Sequence, residues 1–381
     1  MKLVVTEKND AAQKIADLLG ATKPKADKVY NTPVYRFSVD GEEWVTIGLR
    51  GHILEPDFTP QLVYKKRGGW QGVTVDGEIV PADIPASLPK PPFKKKKPFT
   101  EDGVELKGWK MDALPYLVYA PIEKLPKEKD IIRSLKNLAK KADSVIIATD
   151  FDREGELIGS DALSCILEVN PDVPVSRARY SAFTKGEITH AFGNLVDVDF
   201  DLASAGASRQ DIDLIWGAVL TRYLTLVKFA GYGNVRSSGR VQTPTLAMLA
   251  DRDSKIVLFR KEKYHYVRLA LEGAEAVSDR IVSPEDAQAI RDACDGQRAV
   301  CVSLVREKKT ENPPKLYDLT TLQREANRVF GYTAKQTLDY AQSLYEKKLL
   351  TYPRTDSRYL TSDMAETASC VIHLAAKLPP F

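Results

Sequence analysis

Val145-Ile146-Ile147-Ala148-Thr149-Asp150-Phe151-Asp152-Arg153-Glu154-Gly155-Glu156 joins a continuous apolar run directly to an acidic one. The apolar half suits a central strand of a parallel sheet, buried on both faces. The helix expected next, over about 155–168, carries Leu157, Ile158, Ala162, Cys165 and Ile166 on one face. In open α/β sheets, ligands bind beyond the carboxyl ends of the strands. Asp150 and Asp152 stand at that edge, with Glu154 at the start of the helix. Residues 2–6 (Lys2-Leu3-Val4-Val5-Thr6) read as another buried strand, so Glu7 at its end faces the same crevice. Four carboxylates this close repel, and must take up protons or gain a counterion. Magnesium meets that need, since it takes oxygen ligands and is often held by one or two carboxylates with water or phosphate. The competing reading is an acidic helix N-terminus favoured by the helix dipole.

A second constellation lies two hundred residues on, at Leu349-Leu350-Thr351-Tyr352-Pro353-Arg354-Thr355-Asp356-Ser357. Proline pushes the residue before it into extended conformation, and alternate side chains of an extended segment share a face. Tyr352, Arg354 and Asp356 can therefore converge as a hydroxyl nucleophile beside a fixed cation able to hold a phosphate. A structural tyrosine near a helix end is the alternative.

At 381 residues the chain has room for about two to four domains, and a hydrophobic content of 43% is ample for their cores. Net charge is only +3. The run Lys90 to Lys97 holds Lys90, Lys94, Lys95, Lys96 and Lys97 around Pro91 and Pro92, a solvated loop or a phosphate-contacting arm. Cys165, Cys294, Cys301 and Cys370 form no C-x-x-C pair, which argues against a disulfide framework and against zinc, and fits a reducing cytosol. No leader-like or membrane-length apolar stretch is evident, so a soluble, intracellular protein is expected. No G-x-x-x-x-G-K-[ST] loop is present, so ATP is not expected as a cofactor.

Along the chain, Asn9 or Asp10 is expected to cap a helix with Ala12, Ile15, Ala16 and Leu19 inward, stopped by Gly20. Residues 34–48 read as a hairpin turning at Asp40-Gly41. The stretch from about 55 to 125, rich in Pro, Gly and Lys, reads as an elaborated loop region with little regular structure. A helix at 129–141 places Ile131, Ile132, Leu135 and Leu138 inward. Strand, helix, strand, helix in this order predicts an open α/β sheet over residues 1 to about 175. A mostly helical stretch to about 252 follows, then a β-leaning segment (about 256–312, with Tyr264-His265-Tyr266-Val267 and Val300-Cys301-Val302). Two helices, about 319–330 and 334–348, are separated by Gly331 and capped at Thr333, with Leu338, Ala341 and Leu344 expected in the core.

These segments, taken together, resemble the type IA DNA topoisomerases. Glu7-Lys8 after the first strand and Thr149-Asp150-Phe151-Asp152-Arg153-Glu154-Gly155-Glu156 are similar to the Toprim domain of that family. Arg209-Gln210-Asp211-Ile212-Asp213, the SSGRVQTPTLAML run around Arg240 and Gln242, and Thr351-Tyr352-Pro353-Arg354-Thr355-Asp356 match further family segments in order, in a form most like archaeal topoisomerase I and topoisomerase III. The resemblance covers nearly the whole chain outside 55–125. It implies an α/β and α multidomain fold: a Toprim domain (1–175, with a basic loop insertion), a helical single-strand-groove domain (176–255), a β-rich arch segment (256–312) and a helix-turn-helix-like tyrosine domain (313–381).

The resemblance further implies that Tyr352 attacks a backbone phosphate of single-stranded DNA, giving a 5′-phosphotyrosine. Bond energy is stored in that link, so resealing and relaxation of negatively supercoiled DNA need no ATP. Arg354 stabilises the phosphoryl charge, and Asp356 orients its neighbours. Glu7 is the general acid to the leaving 3′-oxygen, and Lys8 holds the scissile phosphate. For Lys8 the pattern is that of topoisomerase III, because the bacterial topoisomerase I pattern carries a lysine where Ala11 stands. Asp150, Asp152 and Glu154, with Glu7, hold magnesium. Arg209, Asp213, Arg240 and Gln242 line the single-strand groove, and His52 sits at the Toprim edge. The expected setting is a monomer on the nucleoid in the cytoplasm, without membrane contact. Pro379-Pro380-Phe381 and a missing histidine-containing motif point to a fragment, expected to bind and nick single strands without relaxing supercoils efficiently. A Toprim nuclease or primase, and a non-catalytic DNA-binding protein, are the alternatives.

Overall fold

Leu3, Val4, Val5, Val145 and Ile147 are almost wholly withdrawn from solvent, and they set the architecture. β1 (Lys2–Thr6), α1 (Asn9–Leu19), β2 (Lys25–Val29), β3 (Thr32–Val39) and β4 (Glu42–Gly48) open the chain. The computed structural model describes every residue except 66, 76–77, 93–96, 228–233, 348, 361–363 and 378–381, so Lys94 to Lys96 and the terminal Pro379-Pro380-Phe381 lie outside the described residues. The chain divides into two compact units, Met1–Arg240 with Lys315–Phe381, and Val241–Pro314.

α1 forms as its spacing predicts, with Ala12, Ile15 and Ala16 buried and Gly20 at its C-cap. Its N-cap, however, is Lys8, whose side chain makes no capping bond. Asn9 already lies in the first turn and accepts a hydrogen bond from Tyr35 OH instead. The hairpin turns where expected, with Asp40 and Gly41 both at positive φ, as a two-residue turn between twisted strands requires.

The segment read as loop is a folded β subdomain, and that expectation is corrected. It holds β5 (Leu54–Phe58), β6 (Gln61–Lys65), β7 (Gly69–Val75), β8 (Glu78–Val80), β9 (Phe99–Thr100), β10 (Gly103–Glu105), the single turn α2 (Leu114–Leu117) and β11 (Ile122–Pro126). Five of these strands form a sheet in the order β8-β7-β6-β10-β9, and β11 pairs with β5. They enclose their own core around Leu62, Val104, Leu106, Tyr116 and Leu117. Glycine and proline here punctuate short strands rather than replace them. The packing of a small core overrides their low strand propensity.

α3 (Lys129–Ala139), β12 (Ser144–Ile147), α4 (Arg153–Leu167) and β13 (Val175–Arg177) complete the main sheet, whose order is β13-β12-β1-β4-β3-β2. β1 runs parallel to both β12 and β4, and β12 parallel to β13. Alternate residues face opposite sides of the sheet. Leu3, Val5, Val145 and Ile147 pack with α3 and α4, whereas Val4 and Ile146 pack with α1 and the helix α5 (Lys185–Gly193). Each such buried aliphatic side chain contributes about 1.5–3 kcal/mol. α6 (Phe200–Val227) brings Leu214, Ile215, Ala218 and Val219 onto the β subdomain. No helix among the described residues is long and apolar enough to cross a membrane.

In the second unit, α7 (Gln242–Val257) precedes a hairpin of β14 (Arg268–Leu271) and β15 (Ala274–Val277), then α8 (Pro284–Cys294). The strands therefore fall beside, not on, Tyr264–Val267, where His265 makes an isolated bridge to Ile281. Val300 and Val302 are exposed and outside any strand. β-branched residues form strands only where a neighbour offers backbone partners.

The first unit resumes with α9 (Leu319–Phe330), α10 (Ala334–Glu346) and α11 (Ala365–Ala375). Gly331 ends α9 in the left-handed region (φ 71°), and Thr333 with Gln336 forms a capping box on α10. The buried face of α10 is Thr337, Ala341 and Tyr345. Leu338 is only half-buried and Leu344 exposed, so of the expected trio Ala341 alone is core.

Candidate active site

The carboxyl ends of β1 and β12 lie side by side, because Val5 pairs with Ile147. Asp150 and Asp152 follow β12, and Glu7 follows β1. Asp152 is the N-cap of α4: its Oδ1 accepts from Gly155 N at 2.8 Å. Gly155 is required by close approach, since a Cβ there would stand 2.1 Å from Asp150 O.

Tyr352 arrives at this edge from the far end of the sequence. Its own N–H donates to Ser181 O at 2.9 Å, and its hydroxyl donates to Asp152 Oδ2 at 2.5 Å. Arg354 Nη1 donates to the same oxygen at 3.4 Å. Asp356 lines the same cleft but bonds neither of them. The cleft has a volume of about 1060 Å³ and is lined by Glu7, Asp152, Glu154, His52, Arg209 and Arg354 among others.

Burial governs the electrostatics. Glu7 is pushed up to about 7 by desolvation and by the charge of Asp150, against the pull of Lys8. Burial also raises Asp150. Asp152 is raised by burial, but hydrogen bonds from Tyr352 and Gly155 and the charge of Arg354 outweigh this and hold it below the usual carboxylate range. Burial, then the bond donated to Asp152, pushes the Tyr352 phenol well above its ordinary value. Tyr352 therefore rests protonated, and its proton already points at an ionised acceptor.

The four expected carboxylates do not all meet. Glu154, two residues beyond Asp152, is inside the helix and holds a different set of partners. Arg209 Nη1 donates to its Oε1 at 3.1 Å, and His52 Nε2 lies 3.3 Å from its Oε2. Gln210 in turn contacts the His52 ring at 3.3 Å. Asp213 pairs with Arg240 at 2.8 and 3.2 Å, not with Arg209 as helical spacing allowed. Lys8 Nζ sits 3.8 Å from Glu7 and 3.7 Å from Glu346. Gln242 begins α7 in the second unit.

Among the described residues, no three acidic, histidine or cysteine side chains are arranged as a ready ligand set. Glu7 and Asp150 nevertheless suit a hard cation. Both are oxygen-only donors, both are raised by burial and by neighbouring negative charge, and neither carboxylate accepts a hydrogen bond from a described residue. Magnesium needs no full protein cage.

Other participants were not singled out by sequence. Tyr345 meets Tyr352 edge-on at 5.5 Å and packs tilted against Phe183 at 5.1 Å, and Phe183 lies 5.2 Å from Tyr180. Tyr180 OH donates to Ala148 O at 2.7 Å, so the aromatic row props Tyr352 against the strand end. The Tyr345 hydroxyl is buried with no hydrogen-bond partner among the described residues. Beneath the edge, Arg177 and Glu156 form a fully buried pair at 2.9 Å, and Arg177 also donates to Asp150 O at 3.1 Å. The visible signal was Glu156 itself, a carboxylate on the buried face of a helix.

A Toprim domain matches residues 2–183, and a DNA topoisomerase domain matches residues 197–379. The chain belongs to the type IA DNA topoisomerase family. DNA topoisomerase 1 of Archaeoglobus fulgidus is 36% identical over 356 residues, covering 93% of this chain and 46% of the relative. DNA topoisomerase 1 of Pyrococcus horikoshii is 33% identical, over 100% of this chain and 50% of the relative. DNA topoisomerase 3 of Shouchella clausii is 37% identical over 73% of this chain and 39% of its own length. The full-length topoisomerase I structure from Thermotoga maritima aligns with a TM-score of 0.57 at 22% identity, over 98% of this chain and 52% of that one, which shows a shared fold. This topoisomerase family chain spans about half the length of the curated relatives it matches, or less. Toprim domains generally bind magnesium, in keeping with the donors at this edge.

Proposed function

We propose that this chain carries the cleavage and resealing centre of a DNA topoisomerase that acts on single-stranded and negatively supercoiled DNA without ATP, through a 5′-phosphotyrosine. The observation that carries the reading is the hydrogen bond from Tyr352 to Asp152, which joins a tyrosine to an acidic strand end two hundred residues away.

In this mechanism the Tyr352 oxygen forms a bond to the scissile phosphorus as the bond from phosphorus to the 3′-oxygen breaks. The phenolic proton passes to Asp152 Oδ2, its acceptor at 2.5 Å. Glu7, at about 7, is partly protonated near neutral pH and gives its proton to the leaving oxygen. Resealing runs the same transfers backwards. Arg354 faces the charge that builds on the phosphoryl oxygens, and Lys8 holds the phosphate from the other side. Glu7 and Asp150, with Asp152, would hold magnesium, which supplies neutralisation of phosphate charge. Glu154 holds Arg209 and His52 along the strand's path, with Asp213 and Arg240 further along. The expected setting is a monomer on the nucleoid, in the cytoplasm.

Oligonucleotides labelled at either end, mixed with the protein and quenched with denaturant, test the reading. Protein is expected on the 5′ end of the downstream fragment. Metal-dependent cutting with no covalent adduct would replace this reading with a nuclease.

A further inference from the structure

Lys129, Arg133 and Lys136 on α3, with Lys140 at its C-cap, recur at i, i+4, i+7 and i+11, so they share one face of the helix over about 16 Å. A solvated lysine face would leave such side chains splayed over a convex surface. Here they wall a groove of about 510 Å³, closed on the other side by Tyr30 and floored by Ile132. The Arg133 guanidinium lies 4.0 Å from the centre of the Tyr30 ring.

Tyr30 itself is held unusually. It occupies the turn between β2 and β3 with φ at +50°, a region that a bulky residue enters only at a cost of about 1–2 kcal/mol. The ring is about half exposed (49%). Glycine would relieve the strain but remove the ring that fixes Arg133. Lys129 and Lys140 have no ion-pair partner among the described residues, whereas Lys136 is paired with Glu168 at 2.6 Å. A separate hollow of about 420 Å³ is lined by Thr32, Pro33 and Ile131, close in sequence to the groove residues Tyr30 and Ile132, and also by Arg50 and Lys8.

We infer that this groove between α3 and the β2–β3 turn binds the phosphodiester backbone of a DNA single strand as it continues away from the cleft. A row of cations with an exposed aromatic ring is the combination that holds single strands independently of base sequence. The groove lies on the side of the main sheet covered by α3, apart from the residues that hold the scissile phosphate. The inference takes its choice of ligand from the proposed function, and its test requires no cleavage.

Binding of a labelled single-stranded oligonucleotide, long enough to leave the cleft on both sides, is followed by anisotropy against salt in metal-free buffer. The full chain carries Tyr352→Phe throughout. Replacing Lys129, Arg133 and Lys140 together by alanine is expected to weaken binding at least tenfold at low salt and to flatten the logarithmic salt slope by about 2. Glu168→Gln, which frees Lys136, is expected to tighten binding two- to threefold, about 0.4–0.7 kcal/mol. Alanine at the exposed Lys65, Lys107 and Lys110 removes equal charge elsewhere and is expected to leave the slope nearly unchanged. An unaltered slope in the groove triple variant, or an equal loss in both triple variants, overturns the inference. Failure of the covalent adduct assay would leave these binding results standing and would count against the proposed function alone.

Discussion

Asp152 and Glu154 belong to one acidic run and line the same cleft, yet they hold different partners. Asp152 is the last extended residue before α4, largely withdrawn from water, and it holds the Tyr352 hydroxyl and the Gly155 amide. Glu154 is already helical, and its two oxygens are taken by Arg209 and His52. An alternating D-x-D-x-E spacing points three carboxylates to one side only while the backbone stays extended. The N-cap of α4 ends that alternation. One acidic run thus supplies two devices of contact: Asp152 accepts from the Tyr352 hydroxyl and the Gly155 amide, and Glu154 pairs with Arg209 and His52.

The largest expected effect tests the first device. Asp152→Ala removes the acceptor of the Tyr352 proton, and single-turnover cleavage is expected to fall at least about a hundredfold, within the range for a positioned proton acceptor. Cleavage within a few-fold of normal would assign the acceptor elsewhere.

Next in size is the support beneath the edge. Arg177→Met leaves Glu156 buried without its cation, and thermal or denaturant unfolding is expected to show a loss of about 3–5 kcal/mol. A loss below about 1 kcal/mol would mean that the pair does not hold the strand end.

The part of this arrangement that the sequence makes legible is the part written locally. β1, β12, α4 and the Gly331 stop follow from periodicity and capping, and Tyr352 is marked by its proline and arginine neighbours. What was not legible depends on distant packing. The β subdomain from β5 to β11 reads as loop because its strands are short and cut by glycine and proline, and only the shared core around Leu62 and Leu106 orders them. Arg177 sits on a short edge strand with nothing nearby to announce that it reaches Asp150. The split between Asp152 and Glu154 follows from where a helix begins, which pattern reading fixes only to within a residue or two.

Glu7 gives a smaller, pH-dependent effect. Its carboxyl is raised from 4.5 to about 7, so the folded state binds the extra proton between those values and stability falls as pH rises through that window. Glu7→Gln is therefore expected to be more stable than the parent above pH 7, with the difference shrinking to nothing below about 4.5. The parent's cleavage rate should decline above about 7 as the acid is lost, while the variant, already slow, stays flat. A parent profile without an inflection near 7 would remove Glu7 from the acid role.

The smallest effect separates the two devices. Glu154→Gln loosens Arg209 and His52 and removes negative charge from the wall, so single-strand binding is expected to change by only a few-fold, toward tighter, with the magnesium dependence of resealing retained. Loss of that dependence would return Glu154 to the metal-holding set beside Asp150.

The identity of the residue joined to DNA decides the mechanism most directly. The denatured adduct can be digested with protease and nuclease and the nucleotide-bearing peptide sequenced by mass spectrometry. The expected mark is a nucleotide on Tyr352, absent in Tyr352→Phe. A nucleotide on Tyr345, Tyr180 or any other residue, or an adduct that persists in Tyr352→Phe, would contradict it.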